Sequence, residues 1–194
     1  MDNQEVLKQI FKNAKDGDNL GFLVAGFKAK PIQTATGGDC THCGKIWKVL
    51  RTKNELSFNF SEQTFSGGKF ERVKIIQQDE LFYGENYHRL NNSKKIYFKS
   101  LNKPLTESQI KIGIDDSITQ IGKKYGYLSL MFGFSFLEKI LPQWLKIKIN
   151  IFAKYNARVC STHCAVQDSK MGLLEFKSHM FYSPMDIINL KYYN

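Results

Sequence analysis

The spacing of apolar positions predicts that strands dominate the first half of the chain. A short amphipathic helix comes first, because Val6, Ile10, Phe11 and Ala14 recur at helical spacing before Gly17. Apolar or alternating runs then predict five strands, at Asn19–Phe27, Thr41–Leu50, Glu55–Phe60, Arg72–Gln77 and Lys95–Lys99.

The period of the apolar positions changes after Lys99. Isoleucines at helical spacing predict a helix that has Thr106 as its N-cap and is closed by Gly122. A second helix is expected from Cys160 to Lys170, ended by Gly172. Strands followed by helices indicate an α+β fold, in which an antiparallel sheet packs against helices.

Composition bounds the class of protein. A chain of 194 residues predicts a single domain over residues 1–194, and 42% hydrophobic residues favour a folded core over disorder. The net charge of +10 attracts anionic partners, but the lysines are spread out, so no specific nucleic-acid site is expected. No signal peptide is recognisable, and the apolar tract Tyr125–Leu137 is shorter than the ~20 residues of a membrane span. We therefore expect a cytoplasmic protein.

The candidate chemistry lies in two short segments that contain all four cysteines. They are Cys40-Thr41-His42-Cys43 and Cys160-Ser161-Thr162-His163-Cys164. One interpretation is a zinc site, as part of a non-catalytic binding module. Against it, neighbouring residues of a strand face opposite sides, so His42 and Cys43 are not expected to face the same site.

The second interpretation is core packing, because a free cysteine is often a small buried hydrophobe. It is favoured for Cys43 and Cys164. The third is nucleophilic catalysis, with Cys160 at the start of a predicted helix and a histidine as its base.

The motifs of the chain, taken in order, support the third interpretation. They are Ile32-Gln33 with Thr41-His42-Cys43-Gly44-Lys45-Ile46, Glu62 before Ser66-Gly67-Gly68, Lys103-Pro104-Leu105-Thr106, Gly122-Lys123-Lys124-Tyr125, Arg158-Val159-Cys160-Ser161 and Tyr182-Ser183-Pro184-Met185-Asp186-Ile187. In this order and spacing they resemble circularly permuted NlpC-type (YiiX-like) papain-like cysteine hydrolases over roughly residues 17 to 190. Two positions depart from the family pattern: Thr162 stands where the family has Glu, and Lys45 interrupts a normally apolar strand.

The resemblance implies a permuted papain-like fold and a thiol peptidase or amidase that needs no cofactor or metal. Cys160 would be the nucleophile, His42 its base, and Glu62 the group that orients His42. The backbone N–H of Cys160 would stabilise the oxyanion, with Tyr125 as a candidate second donor and Ser161 beside it.

Structural alternatives stand beside these roles. Cys160 and His42 would otherwise be ordinary buried residues, and Glu62 an exposed hairpin carboxylate. His163, three residues after Cys160 on the same predicted helix, is a rival base.

The substrate stays open between an amide, such as a peptidoglycan peptide or an isopeptide, and a lipid or ester acyl group. The apolar segment Tyr125–Phe152 is interpreted as a core helix, a flap over the site, or a contact to an anionic membrane surface. The oligomeric state is not predicted.

Overall fold

The computed structural model describes residues 2–24, 33, 38–126, 142–148, 158–175 and 182–193. Its helices and strands, in chain order, are α1 (Asn3–Asn13), β1 (Asn19–Leu23), β2 (His42–Arg51), β3 (Glu55–Thr64), β4 (Gly67–Gln78), β5 (Leu81–Glu85), α2 (His88–Asn92), β6 (Lys95–Lys99), α3 (Glu107–Thr119), α4 (Cys160–Lys170) and α5 (Pro184–Ile188). The strands form one curled antiparallel sheet in the order β5-β4-β3-β2-β1-β6. The expected α+β class with an antiparallel sheet packed against helices is confirmed.

Most predicted elements are present, and the differences have physical causes. Strands β3 and β4 are longer than expected because Ser61–Thr64 stay paired with Gly67–Phe70, up to a tight turn at Gly67, where φ is 112°. The side chains of Ser61–Thr64 are mostly polar, so the sequence pattern did not indicate a strand there. Strand β5 and helix α2, of five residues each, were not predicted.

Helix α1 packs on one face of the sheet, and the sheet curls around it. The side chain of Asn3 bonds to Ser93 and to the backbone N–H of Ile96 in β6, while Gln4 bonds to the backbone of Phe82 in β5. The two edges of the sheet are therefore tied to the same helix turn. Apolar side chains of α1 and of this face of the sheet form the larger core.

Helices α3, α4 and α5 contact the opposite face of the sheet. Helix α3 begins at the predicted N-cap, where the Thr106 hydroxyl accepts a hydrogen bond from the backbone N–H of Gln109 in a capping box. The absence of a side chain at Gly113 lets α3 approach the sheet, because a Cβ there would lie 2.1 Å from the Trp47 ring.

Lys45, which interrupts the apolar pattern of β2, is fully buried on this second face. Its Nζ lies 2.7 Å from Asp168 Oδ1 of α4 and donates to Asn19 Oδ1 at 2.9 Å. It also donates to the Tyr193 hydroxyl at 2.5 Å. A buried ammonium needs such partners to offset its lost hydration. The lysine therefore connects β2 to helix α4, which begins at Cys160.

Part of the Tyr125–Phe152 segment lies outside the described residues, as do residues 25–27 of the first predicted strand. Within that segment, residues 143–148 are helical, Trp144 is exposed, and Lys148 Nζ lies 5.2 Å from its ring centroid. None of the helices in the described ranges combines the length and apolar character needed to cross a bilayer.

Candidate active site

Cys160 is the first residue of α4, as the sequence predicts, and it is buried. Its side chain packs in a small cluster with Cys43 and Cys164. A helix N-terminus carries unpaired N–H groups and a partial positive charge, which favour a thiolate at this position. The fold thus puts this sulfur where its anionic form is stabilised.

His42, the first residue of β2, lies beside Cys160, close enough for its side chain and its charge to lower the pKa of the thiol. Cys43 also lies beside Cys160 and lowers the pKa of Cys160 further through the hydrogen-bonding groups of its side chain and backbone. The expectation that His42 and Cys43 cannot face one site is therefore wrong. The pairing of β2 with β3 begins only at Gly44, opposite Glu62. The Cys160 sulfur lies at this open end of β2, within reach of both His42 and Cys43.

Cys43 was predicted to be only a packing residue, and this is incomplete. Its sulfur lies 3.9 Å from that of Cys164, which fits packing, but its hydrogen bonds to Cys160 make it part of the site. A cysteine side chain is a weak donor, so this role leaves no signature in the sequence beyond the C-x-x-C spacing.

Glu62, on the adjacent strand β3, is buried, and its Oε2 lies 2.5 Å from His42 Nε2. The alternative of an exposed hairpin carboxylate is wrong, because β3 extends past this residue. Since Nε2 faces Glu62, the nitrogen left for the Cys160 sulfur is Nδ1. The carboxylate therefore fixes the orientation and the tautomer of the imidazole.

Two further residues contact Glu62 and were missed from the sequence. The Tyr87 hydroxyl donates to Glu62 Oε2 at 2.8 Å, and Arg89 Nη1 donates to the same oxygen at 2.7 Å. Both follow β5, a strand that was itself not predicted. Their only signal is an arginine and a tyrosine near a turn, which does not identify a site.

The electrostatics of the site favour a thiolate–imidazolium pair. Hydrogen bonding from Cys43, together with the hydrogen bond and charge of His42, holds the pKa of Cys160 well below its usual range despite burial. Burial would lower the pKa of His42, but the charge of Glu62 and the bond to Cys160 raise it. Burial would raise the pKa of Glu62, yet His42 and Arg89 lower it to about 2.

Tyr125 lies beside Cys160, as its candidate role requires, close to both the side chain and the backbone of that residue. Burial and the charge of Cys160 raise the pKa of this phenol, so it stays protonated and able to donate. Its ring packs on Phe65 with centroids 4.7 Å apart. Ser161 is buried, and its hydroxyl has no hydrogen-bond partner in the described ranges.

His163, the rival base, is directed elsewhere. Its Nε2 lies 2.7 Å from Ser61 Oγ on β3, and Arg158 Nη1 lies 3.5 Å from its Nδ1. Burial and the charge of Arg158 lower its pKa to about 3, so the ring is neutral near pH 7. The imidazole that meets the thiol of Cys160 is that of His42.

Among the residues that the structure describes, the cysteines and histidines do not form a ligand set for zinc. Cys40 donates to the backbone carbonyl of His42 at 3.2 Å, and His163 is bonded to Ser61. No group of three or more His, Cys, Asp or Glu side chains in the described residues, which include all four cysteines, is arranged to hold a metal ion.

The comparisons with protein families and with curated proteins do not indicate a reaction. Neither a scan against protein-family models nor a search of curated proteins finds a match to the chain.

Proposed function

We propose that this protein is a cysteine hydrolase with a permuted papain-like, NlpC-type domain that cleaves an amide bond through a thioester. One observation carries the proposal: Cys160, at a helix N-terminus, lies beside His42, which lowers the pKa of its thiol, and His42 lies 2.5 Å from the buried Glu62. Nucleophile, base and orienting carboxylate follow one another in this order in thiol hydrolases.

The first half-reaction forms the thioester. The Cys160 thiolate attacks the carbonyl carbon, and the negative charge develops on the carbonyl oxygen. The backbone N–H of Cys160, at the start of α4, donates a hydrogen bond to that oxygen. Tyr125 then donates its own proton in a hydrogen bond to the same oxygen. The His42 imidazolium protonates the leaving amine as the C–N bond breaks.

The second half-reaction releases the acid. Neutral His42 removes a proton from water, and the hydroxide attacks the thioester carbon. The C–S bond breaks, and the thiolate again pairs with the His42 imidazolium. Glu62 stays ionised throughout and stabilises that cation.

An amide is favoured as the substrate because its amine leaving group must be protonated, and the pKa of His42 is raised. A peptidoglycan peptide or an isopeptide meets this requirement. The net charge of +10 favours an acidic polymer or an anionic membrane surface as the setting. A lipid or ester acyl-hydrolase on the same fold is the second candidate. Phe65, 40% exposed and stacked on Tyr125, offers an apolar surface near the nucleophile.

Selective alkylation tests the proposal without a known substrate. Iodoacetamide at pH 7 should label Cys160 faster than the other buried thiols, as read by peptide mass spectrometry. His42→Gln should slow this labelling strongly, whereas Arg72→Met, on β4 and bonded to Ser57 away from the site, should not. Equal and slow labelling of all four cysteines would contradict the hydrolase.

Substrate class is tested with two panels, peptidoglycan stem peptides and isopeptides on one side and short-chain acyl esters and phospholipids on the other. Cys160→Ala is the blank in both. Release of a new amine supports the amidase, and release of fatty acid alone supports the second candidate. Sedimentation with anionic and neutral liposomes tests the membrane surface in the same preparations.

A further inference from the structure

The orienting carboxylate has a second group of partners on the side away from the thiol. Glu62 Oε2 is contacted by His42 Nε2, by the Tyr87 hydroxyl and by Arg89 Nη1. Arg89 Nη1 also donates to the Tyr87 hydroxyl at 2.9 Å. These contacts tie β3 to the segment that joins β5 and α2.

We infer that Arg89 and Tyr87 are positioning residues, which set the pH range of Cys160 reactivity by keeping Glu62 ionised and aimed at His42. The inference rests on the proposed function for its catalytic meaning. Its physical content, the reactivity of one thiol, is measurable without a substrate.

Charge alternation supports the inference. From Arg89 the charges run positive, negative at Glu62, positive at His42 and negative at Cys160. Arg89 and His42 both lie within hydrogen-bond distance of Glu62, and Cys160 lies beside His42. Glu62 is only 2% exposed, and burial alone would favour its neutral form. A protonated Glu62 would leave the imidazolium without a counter-charge. Arg89, which is charged at any working pH, opposes that protonation.

The other charged groups near Glu62 do not replace Arg89. Lys69 stands opposite Glu62 on β4, but its Nζ lies 3.3 Å from Glu71 and is half-exposed. Helix α1 contributes apolar side chains to the core on this face. His163, on the other face of the sheet, is neutral near pH 7 because burial and Arg158 lower its pKa to about 3.

The rate of Cys160 alkylation as a function of pH tests the inference. In Arg89→Met, protonation of Glu62 occurs at higher pH, and the positive charge that stabilises the thiolate at longer range is lost. Both effects shift the acid limb upward, by roughly one pH unit. Arg89→Lys keeps the positive charge, so most of the shift of the acid limb should be absent in this variant. Tyr87→Phe removes a neutral donor and should give a smaller upward shift.

Arg72→Met is the matched control, because Arg72 carries the same charge on β4 and bonds to Ser57 away from the site. It should leave the acid limb in place. An acid limb at the wild-type pH in both Arg89→Met and Tyr87→Phe overturns the inference. If Arg89→Met does not fold, as judged by circular dichroism, the Tyr87→Phe profile decides alone.

The inference and the proposed function fail in different ways. If Cys160 is never preferentially alkylated, the proposed hydrolase function is contradicted. If Cys160 is selectively alkylated but the pH profile is unchanged in the variants, only the proposed role of Arg89 and Tyr87 is contradicted. A structural role alone would lower the free energy of unfolding without moving the profile of the folded fraction.

Discussion

Arg158, two residues before Cys160, forms a buried two-point ion pair with Asp116. Arg158 Nη1 donates to Asp116 Oδ2 at 2.5 Å, and Nη2 donates to Oδ1 at 3.0 Å. Lys170, at the other end of α4, also reaches Asp116 Oδ1 at 2.6 Å. One carboxylate of α3 thus anchors the residues on both sides of the helix that begins at Cys160.

Asp116→Asn should therefore destabilise the fold and loosen the nucleophile. Removal of one partner of a buried pair leaves the other charge uncompensated, which costs about 3–5 kcal/mol. Urea unfolding at pH 7 measures this loss. Lys111→Met is the control, because Lys111 pairs with Asp115 at the surface of the same helix and should change stability by less than ~1 kcal/mol.

The stability lost in Asp116→Asn should also depend on pH. Burial would raise the pKa of Asp116, but Arg158 and Lys170 lower it from 3.8 to about 2. The carboxylate thus stabilises the fold above pH 3.8, and this contribution is lost as the pH falls through 2. We expect the stability difference between wild type and Asp116→Asn to shrink between pH 5 and pH 2. A stability difference that stays constant over this pH range would contradict the contribution of the Asp116–Arg158 ion pair.

Glu62→Gln should shift the pH profile of amide hydrolysis at its alkaline side. The charge of Glu62 raises the pKa of His42, so its loss lets His42 deprotonate at lower pH. The alkaline limb of hydrolysis, above which His42 can no longer protonate the leaving amine, should move down by about one pH unit. Amide hydrolysis should fall by on the order of 10²-fold, because the imidazole is no longer oriented. Glu55→Gln, in a half-exposed pair with Lys74, should leave both quantities unchanged.

Cys43→Ala should raise the pKa of Cys160. The Cys43 side chain is the largest cause of the lowered pKa, because it donates a hydrogen bond to the Cys160 sulfur. Thiolate absorbance at 240 nm against pH measures the shift. Cys43→Ser keeps a donor and should lie nearer to wild type, and Cys164→Ala, which removes a sulfur that contacts Cys43, should have little effect. If the pKa of Cys160 is unchanged in Cys43→Ala, the functional role of Cys43 in the site is contradicted.

Gly113→Ala should destabilise the protein although alanine is the better helix former. The added Cβ would lie 2.1 Å from the Trp47 ring, which is fully buried and has no room to move. Overpacking typically costs about 1–3 kcal/mol, more than the ~1 kcal/mol gained in helix propensity. Ser108→Ala, at an exposed position of the same helix, should be neutral or slightly stabilising in the same thermal unfolding assay.

The elements that the sequence predicted well are those with a strong local signal. Helix α4 begins and ends as expected because Cys160 opens a run without breakers and Gly172 closes it with φ at 75°. Helix α3 begins at its N-cap for the same local reason. The approach of Cys160 to His42 is a long-range relationship, and it was proposed from the resemblance to a family and not from any local pattern.

The parts that escaped prediction depend on tertiary contacts. The polar end of β3 forms a strand because Ser61 bonds to His163 and Glu62 bonds to His42, and neither partner is near in sequence. Arg89 belongs to the site because β5 brings the following turn back over Glu62. No periodicity encodes such contacts.

The buried charge of Lys45 has a consequence for the order in which the protein can mature. Its partner Tyr193 is 148 positions downstream, and Asp168 lies in the helix that carries Cys160. A nascent chain that has released β2 but not these residues from the ribosome holds a lysine with no counter-ion and a histidine with no thiol. The contacts that hold Lys45, and the approach of Cys160 to His42, therefore become possible only after the last third of the chain has been synthesised.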